Sequence, residues 1–236
     1  MSGGGPARDP AAGASRAVTS DQAAPHPRLG RVLARHRAHP SERPWPAHAA
    51  AALAPLVTRV AADPRSLVLD SGCGTAESTA WLAARHPGAL VVGIDQSAQR
   101  LARAAALPAN ALALRARAED VWRLVRERGW PLAAHYLFYP NPWPKQRHLM
   151  RRWHAHPAMA DLVTLGGALE LRTNWRIYAE EFASALAWWC AIPVTVARWA
   201  PPRAASAFER KYLASGQPLY RVTATLPAPH RRPAAP

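Results

Sequence analysis

The sequence is poor in cysteine and in long apolar runs. Its 236 residues include only two cysteines, Cys73 and Cys190, too few for a disulfide framework and too sparse for a zinc site. No apolar run approaches the roughly 20 residues that a membrane-spanning helix needs. Residues 1–10 lack the apolar core of a secretory signal. We therefore predict a cytoplasmic protein in a reducing compartment, with no membrane association and no metal.

Acidic residues are also scarce. The chain has 15 Asp and Glu residues against 30 Lys and Arg residues, which gives a formal net charge of +15 and a pI near 11.4. Only Lys145 and Lys211 are lysines, and the heavy use of Ala, Pro and Arg is typical of a GC-rich genome. That bias explains arginine in place of lysine better than it explains the twofold excess of cations. The charge therefore indicates a polyanionic partner such as a nucleic acid.

Composition divides the chain into four segments. Residues 1–28 are rich in Gly, Ala, Pro and Ser without periodicity, which predicts a disordered tail. Residues 29–62 form a basic N-terminal region that is predicted to be helical, with its main helix over 45–62. Residues 63–226 alternate strand and helix patterns, and residues 227–236 are a second, proline-rich disordered tail. The length suits one full-sized domain with tails.

The third segment predicts an α/β fold. Its repeated βα units favour a doubly wound, mostly parallel, seven-stranded sheet, and the last two strands predict an antiparallel edge. The predicted strands cover residues 66–70, 89–95, 111–114, 133–138, 167–172, 194–198 and 219–226. The predicted helices cover residues 75–85, 97–106, 119–128, 150–164 and 177–190.

Two acids and two glycines suggest a nucleoside site after the first two strands. Asp70 ends the first strand, Gly72 and Gly74 form the following turn, and Asp95 ends the second strand. Such a turn aims backbone N–H groups at a ligand, and the second acid can bind ribose hydroxyls. Glu77 stands where a dinucleotide site needs a third glycine, and its charge disfavours a pyrophosphate. The pattern favours S-adenosylmethionine, a nucleoside without phosphate; the alternative is an ordinary tight βα turn.

The chain is organised around residues 137–148, where an apolar strand runs into three prolines, a belt of three aromatic residues, the amide of Asn141 and a cluster of cations. Proline cannot continue a central strand, so the backbone must leave the sheet here. Loops at the carboxyl ends of strands hold the ligands of open α/β sheets. We therefore expect the catalytic loop in this stretch. Its cations, together with Arg151 and Arg152 just after it, would bind nucleic-acid phosphates, the alternative being a solvated basic helix start.

Residues 66–226 resemble the bacterial tRNA (guanine-N7-)-methyltransferases, members of the class I, Rossmann-like methyltransferases. The long loop motif carries most of the resemblance because its order of residues is unusual. The matches in chain order are Leu-Glu-apolar-Gly-x-Gly at residues 69–74, Gly-Ile-Glu at 93–95, Phe-Pro-Asp-Pro-Trp-x-Lys-x-Arg-His at 139–148, Thr-Asp-Trp-x-x-Tyr-Ala-Glu at 173–180 and Thr-Lys-Phe-Glu at 206–209.

The resemblance implies an activity and a set of site residues. It implies methylation of guanine N7 in the variable loop of tRNA, with S-adenosylmethionine as cofactor and a monomer or weak homodimer as the working form. Asn141 takes the catalytic position. The implied cofactor-binding residues are Asp70, Gly72, Gly74, Asp95 and Glu119. The implied substrate-binding residues are Lys145, Arg147, His148, Asn174, Ser206, Phe208 and Glu209.

Three acids of that family are replaced in this chain. Asn141 and Asn174 stand where the family has aspartates at the target base, and Arg117 stands where it has the acid that reaches the adenine. Glu119 or Asp120 could take over the role at the adenine. A neutral Asn141 keeps one acceptor but loses the charge that would stabilise a methylated, cationic guanine. These changes predict reduced or altered activity.

Two other functions stay open at the level of sequence. The order Asn-Pro-Trp at residues 141–143 loosely resembles the Asn-Pro-Pro-aromatic loop of amino-group methyltransferases, so an exocyclic amine is a second possible target. The three replaced acids are also compatible with a catalytically degenerate paralogue that binds tRNA without methylating it.

Overall fold

A computed structural model describes residues 15–40 and 44–228 of the chain. These residues form one seven-stranded sheet flanked by helices. The strands are β1 Leu67–Ser71, β2 Leu90–Asp95, β3 Ala111–Arg115, β4 Leu132–Phe138, β5 Gly167–Thr173, β6 Thr195–Trp199 and β7 Leu219–Leu226. The helices are α1 Leu29–Ala38, α2 Ala49–Ala62, α3 Glu77–Arg85, α4 Ala98–Leu101, α5 Ala118–Arg128, α6 Met159–Leu162, α7 Arg176–Cys190 and α8 Ala207–Ala214.

The strand order is β3-β2-β1-β4-β5-β7-β6. The first five strands are parallel, and β7 runs antiparallel between β5 and the edge strand β6. The predicted doubly wound, mostly parallel seven-stranded sheet is confirmed. Since β1 pairs with β2 on one side and with β4 on the other, the chain reverses its direction of winding at β1. Ligands of open α/β sheets bind at such a switch point.

The two central strands, β1 and β2, show why the sheet could be predicted from the sequence. Every residue of β1 and β2 is buried, and strands covered on both faces appear as continuous apolar runs. The larger core lies between the sheet and α1, α2, α5 and α7. A smaller core packs Leu82 of α3 against Val68 and Val91 on the opposite face. The strand ends that carry Asp70 and Asp95 are therefore held rigidly from both sides.

The prediction of disorder over residues 1–28 is wrong for the part that the structure describes. Residues 15–28 lie against the domain, and Gln22 and His26 are 7% and 4% exposed. Both bond to Glu181, which is buried in α7. The composition did not predict this packing, because hydrogen bonds from polar side chains and backbone groups hold the segment in place and it has no apolar stripe. The remainder of that prediction, residues 1–14, lies outside the described residues, as do residues 229–236 of the second tail.

The region after residues 139–148, which we call the signature loop, also differs from the prediction. Two 3₁₀ turns, Gln146–Arg151 and Trp153–Ala155, and the short helix α6 replace the single helix predicted over 150–164. Pro157 falls between them and cannot continue a helix. The sequence analysis also missed α8, whose N-cap is Ser206. The division of the chain into domains and tails otherwise stays a prediction.

Within the described ranges no helix is long and apolar enough to cross a bilayer. The same ranges contain no group of three or more His, Cys, Asp or Glu residues placed to hold a metal ion.

Candidate active site

The turn after β1 is built around the Asp95 carboxylate. Asp95 Oδ2 accepts a hydrogen bond from the Gly74 N–H at 3.0 Å, and Oδ1 accepts one from the Ser97 N–H at 2.8 Å. Arg100 lies 3.3 Å from the same carboxylate. Gly72 and Gly74 have φ values of +89° and +61°, a backbone conformation that glycine adopts without strain. These bonds fix the glycine turn to the end of β2.

Asp70 supplies a buried acceptor at the same edge. It is 1% exposed, and its Oδ2 accepts hydrogen bonds from the Ser78 and Thr79 hydroxyls at 2.7 Å each. Burial, reinforced by nearby Asp95, raises the pKa of Asp70 to about 6 even though the two hydroxyl bonds oppose the shift. Its Oδ1 has no hydrogen-bond partner among the described residues. A buried carboxylate oxygen without a partner fits a ligand that brings its own donor.

A second free acceptor follows β3. Arg117 donates through Nε to Glu119 Oε1 at 2.9 Å, and Glu119 Oε2 is buried without a partner among the described residues. A cavity of about 550 Å³ opens beside these strand ends, lined in part by Gln96 and Ala116. Neither Asp70 nor Glu119 lines that cavity, so the fit to a phosphate-free nucleoside rests on the free oxygens of these two acids. The guanidinium of Arg117 holds Glu119 and cannot itself accept from an adenine amino group.

The signature loop leaves β4 through a constrained backbone. Tyr139 and Trp143 have φ values of +53° and +46°, which non-glycine residues seldom adopt. The Tyr139 N–H donates to the Arg172 carbonyl at 2.8 Å. The Trp143 N–H lies 3.4 Å from Asn141 Oδ1, in the geometry of an Asx turn. Asn141 is exposed at the tip of the loop, where a substrate can reach its amide.

The second amide, Asn174, follows β5. Its Nδ2 donates to Gln217 Oε1 at 2.7 Å, and Gln217 Nε2 donates to the Ser15 carbonyl at 2.8 Å. Asn174 is therefore held at the mouth of the site by the loop before β7 and by the N-terminal segment.

The predicted phosphate-binding cations separate into two groups. Lys145 and Arg147 are exposed on the signature loop, and Arg151 is exposed with its guanidinium 4.7 Å from the centre of the Trp143 ring. The His148 ring meets the same indole edge to face at 5.6 Å. Partial desolvation and the neighbouring arginines lower the pKa of His148. Arg152, in contrast, is fully buried, so the prediction that it contacts phosphate is wrong.

Helix α8 brings the three remaining predicted residues together. The Ser206 hydroxyl caps the helix by accepting from the Glu209 N–H at 3.2 Å. Phe208 is 47% exposed and lies near Gly74 of the glycine turn. Arg210 forms an ion pair with Glu77 of α3. The helix thus covers one side of the glycine turn.

Glu209 is fully buried and already satisfied within the protein. Its carboxylate accepts from Tyr139 Oη at 2.6 Å, the Ala205 N–H at 2.7 Å, Arg172 Nη1 at 3.1 Å and Trp199 Nε1 at 3.2 Å. Contact with a substrate would require some of these partners to move. Sequence reasoning missed Arg172 and the Tyr139–Glu209 bond because the residues lie far apart in the chain and no spacing rule connects them.

Comparison with known proteins places this geometry in a family. The family model described as "Putative methyltransferase" matches residues 64–222. The chain is 34% identical to the tRNA (guanine-N(7)-)-methyltransferase of Halorhodospira halophila, over 65% of this chain and 71% of that protein. It is 32% identical to the enzyme of the same name from Treponema pallidum, over 67% of this chain and 66% of that protein.

Solved structures support the fold. The 16S rRNA methyltransferase KamB aligns with a TM-score of 0.53 and 20% identity, over 72% of this chain and 92% of that chain. A variant 16S rRNA (adenine(1408)-N(1))-methyltransferase from Catenulisporales acidiphilia, solved with its cosubstrate SAM, aligns with a TM-score of 0.52 and 19% identity, over 77% and 93% of the two chains.

Proposed function

Because the chain belongs to the family of tRNA (guanine-N7-)-methyltransferases, we propose that it transfers a methyl group from S-adenosylmethionine to N7 of a guanosine in tRNA. The proposal rests on the positions of Asn141 and Asp70 at the ends of neighbouring strands. The signature loop presents an exposed Asn141 at the end of β4, and β4 pairs with β1, whose end carries the free oxygen of Asp70. A target base and a cofactor would therefore meet at one edge of the sheet.

Methyl transfer to guanine N7 needs no general base from the protein. When bound, S-adenosylmethionine supplies a methyl group on a cationic sulfur, which the N7 lone pair of guanine can accept without loss of a proton. The residues must align the two reactants and stabilise the charge that develops on the purine. Asp70, Asp95 and Glu119 would hold the cofactor. Asn141 would accept from the N1–H and 2-amino groups of the guanine.

The rate of methyl transfer should be lower with Asn141 than it would be with a carboxylate at position 141. Unit charges about 4 Å apart at an effective dielectric near 20 interact by roughly 4 kcal/mol. Charge on the base is partial in the transition state, so loss of the carboxylate costs between about ten-fold and about a thousand-fold in rate. The activity is therefore reduced by Asn141 but not abolished.

The tRNA would lie across the signature loop and α1. Arg31 and Arg35 are exposed on α1, whereas Leu29, Leu33 and His36 on the other side of the helix are buried. The Arg35 guanidinium is 3.8 Å from the Met150 sulfur, so the basic face of α1 adjoins the signature-loop turn. Phosphate contacts of this kind position a nucleic acid without reading its sequence. We place the target in the variable loop and the protein in the cytoplasm, as a monomer or weak homodimer.

The proposal is tested by incubating the protein with labelled S-adenosylmethionine and unmodified tRNA. Cleavage of the product with borohydride and aniline then maps 7-methylguanosine to a single nucleotide. We expect label in tRNA and one cleavage site. Normal cofactor binding by calorimetry without any cleavage above background would contradict the proposal.

A second candidate, methylation of an exocyclic amine, is favoured by one observation. Both residues at the base-facing positions, Asn141 and Asn174, are amides, and an amide oxygen can accept from an amine without adding charge. Nucleoside analysis that finds the label on an exocyclic nitrogen would support this target. Absence of cofactor binding would instead favour a tRNA-binding protein without catalysis.

A further inference from the structure

The signature loop has an unfavourable backbone that something must hold in place. Trp143 has a φ of +46° two residues after Asn141, and a bulky residue keeps such a conformation only where surrounding contacts enforce it. Its own N–H makes a long contact of 3.4 Å with Asn141 Oδ1. Its carbonyl accepts a hydrogen bond from Arg152 Nε at 3.2 Å. Arg152 is thus the side chain that anchors this part of the loop from inside the protein.

The buried guanidinium of Arg152 also connects the two amide-bearing segments. It lies 4.8 Å from the centre of the Trp175 ring, and Trp175 directly follows Asn174. One side chain therefore contacts the backbone two residues after Asn141 and the ring one residue after Asn174. Any shift of Arg152 would change the spacing between the two amides at the mouth of the site.

Glu181 holds Arg152. Both side chains are fully buried, and Arg152 Nη1 donates to Glu181 Oε2 at 2.6 Å. The same oxygen accepts from His154 Nε2 at 2.8 Å. Burial alone would raise the pKa of Glu181, but the His154 and Arg152 hydrogen bonds and charges lower it to about 2. An ionised Glu181 therefore balances the buried guanidinium at physiological pH.

Gln22 of the N-terminal segment closes the arrangement. Its Nε2 donates to Glu181 Oε1 at 2.6 Å, and its Oε1 accepts from Arg152 Nη2 at 3.0 Å. Two residues earlier, the Ser20 hydroxyl donates to the Pro144 carbonyl at 2.6 Å. The N-terminal segment thus holds both the ion pair and the loop that the ion pair supports.

Resting on the proposed function, we propose that Arg152 and Glu181 are positioning residues for methyl transfer, with Gln22 as their third member. All three side chains are buried, so they act through the loop and not by direct contact with base or cofactor. They fix the Trp143 carbonyl and the Trp175 ring, and in that way they set the distance across which Asn141 and Asn174 receive the target base.

The test compares R152K and Q22A with the wild-type protein. Glu181→Gln would leave a buried guanidinium without its counter-ion and disrupt folding, so it cannot carry the test. R152K keeps the charge, but an ammonium cannot reproduce the planar set of bonds to Trp143, Gln22 and Glu181. Q22A keeps the ion pair and removes the third member. R126K is the control. Arg126 lies near the C-terminal end of α5 and pairs with Asp161 of α6 at 2.7 Å, and α5 leads to the amino-terminal end of β4, away from the carboxyl ends of the strands.

For R152K we expect kcat for tRNA methylation to fall by about ten-fold or more, because small misplacements of reacting groups cost that much in rate. Q22A should show a smaller loss of kcat. For both variants the KM for tRNA and the Kd for S-adenosylmethionine should remain close to wild type. R126K should match wild type in every measurement. Folded R152K and Q22A with wild-type kcat would overturn the proposal.

Hydrogen exchange gives a readout that does not require activity. In R152K and Q22A we expect faster amide exchange across residues 143–152, with unchanged exchange in the β1 and β2 peptides. Uniformly faster exchange throughout the chain would show a structural role only and would overturn the proposal. If the wild-type protein binds S-adenosylmethionine but methylates no tRNA, the proposed function fails, and the exchange measurement still decides whether the pair positions the loop.

Discussion

At the scale of single residues, we propose that Asn141 and Asn174 set the rate of methyl transfer. N141D should raise 7-methylguanosine formation at saturating tRNA by between about ten-fold and about a thousand-fold, because a carboxylate stabilises the cationic purine. N174D alone should raise it less. Gln217 Oε1 accepts from Asn174 at 2.7 Å, and an aspartate at position 174 has no proton to donate to it. The Gln217 amide would therefore have to turn and would lose its present bond to the Ser15 carbonyl.

Ala34→Asp is the charge-matched control for that experiment. It adds a negative charge at an exposed position of α1, away from position 141, so a general charge effect on tRNA binding would appear in both variants. Rates measured with single-turnover kinetics separate the chemical step from binding. A loss of pre-existing activity in N141D would show that the amide serves the reaction and would contradict an eroded m7G site.

Asp70 should give the protein a distinctive pH dependence. Its pKa is raised to about 6 in the folded chain from an ordinary value of 3.8, so between these values the folded state binds more protons than the unfolded state. The free energy of unfolding therefore falls as the pH rises from 4 to 6, by roughly 3 kcal/mol from this group. D70N removes the titration. In denaturant unfolding, the free energy of unfolding of D70N minus that of wild type should increase over that range and stay constant above pH 7. A difference that does not vary with pH would contradict the assignment.

At this scale, sequence reasoning identified residues by type and missed their partners. Asp70, Gly72, Gly74 and Asp95 were predictable because the turn and the strand ends impose a fixed spacing. Arg152 was expected to face phosphate because adjacent arginines in a basic loop usually share a surface. The structure buries it because Glu181, 29 positions later in the chain, supplies a counter-ion. Such a pairing leaves no local pattern.

At the scale of elements, α8 depends on the buried Glu209. E209Q should lower the free energy of unfolding by about 1–3 kcal/mol, since it removes one of the two carboxylates that pair with the buried Arg172 guanidinium, the other being Glu170 at 2.6 Å. S206A, which removes only the N-cap, should cost about 1 kcal/mol. Urea unfolding without tRNA measures both. If E209Q is as stable as wild type but binds tRNA poorly, Glu209 contacts substrate and the structural role assigned to it is wrong.

Helix α1 should contribute phosphate contacts. R31A and R35A should each weaken tRNA binding and reduce the slope of log K against log salt concentration by about 1, as expected for one lost phosphate contact. R128A is the control, because Arg128 is exposed at the end of α5 that leads away from the active-site edge. Filter binding at several salt concentrations provides the slopes. If R31A and R128A show equal slopes of log K against log salt concentration, α1 does not contact tRNA phosphates.

The elements were predicted correctly where strands are buried on both faces, and wrongly where hydrogen bonds from distant residues shape the backbone. Strands β1 and β2 appear in the sequence as apolar runs, and β7 was predicted with the bounds observed, Leu219–Leu226. The helix expected over 150–164 is broken by Pro157 and by side-chain bonds such as that of the Trp153 N–H to Tyr178 Oη at 3.2 Å. Those bonds come from α7 and could not be inferred from the segment itself.

At the scale of the whole molecule, the charge of +15 and the family membership lead to the same partner. The charge alone indicates a polyanion, and the sheet order alone indicates a Rossmann-like fold that hosts many chemistries. The signature loop links them, because it puts the exposed cations Lys145 and Arg147 after β4, which pairs with the strand that ends at Asp70 and Ser71.

The most direct test of the central claim replaces the target atom. A tRNA transcript made with 7-deazaguanosine has carbon in place of N7 in every guanine and retains all exocyclic amines, while a transcript made with 7-deazaadenosine serves as the control. Methyl transfer from labelled S-adenosylmethionine is then measured on both transcripts and on the unsubstituted tRNA. The account predicts transfer to the unsubstituted and 7-deazaadenosine transcripts and none to the 7-deazaguanosine transcript. Undiminished transfer to the 7-deazaguanosine transcript would contradict it.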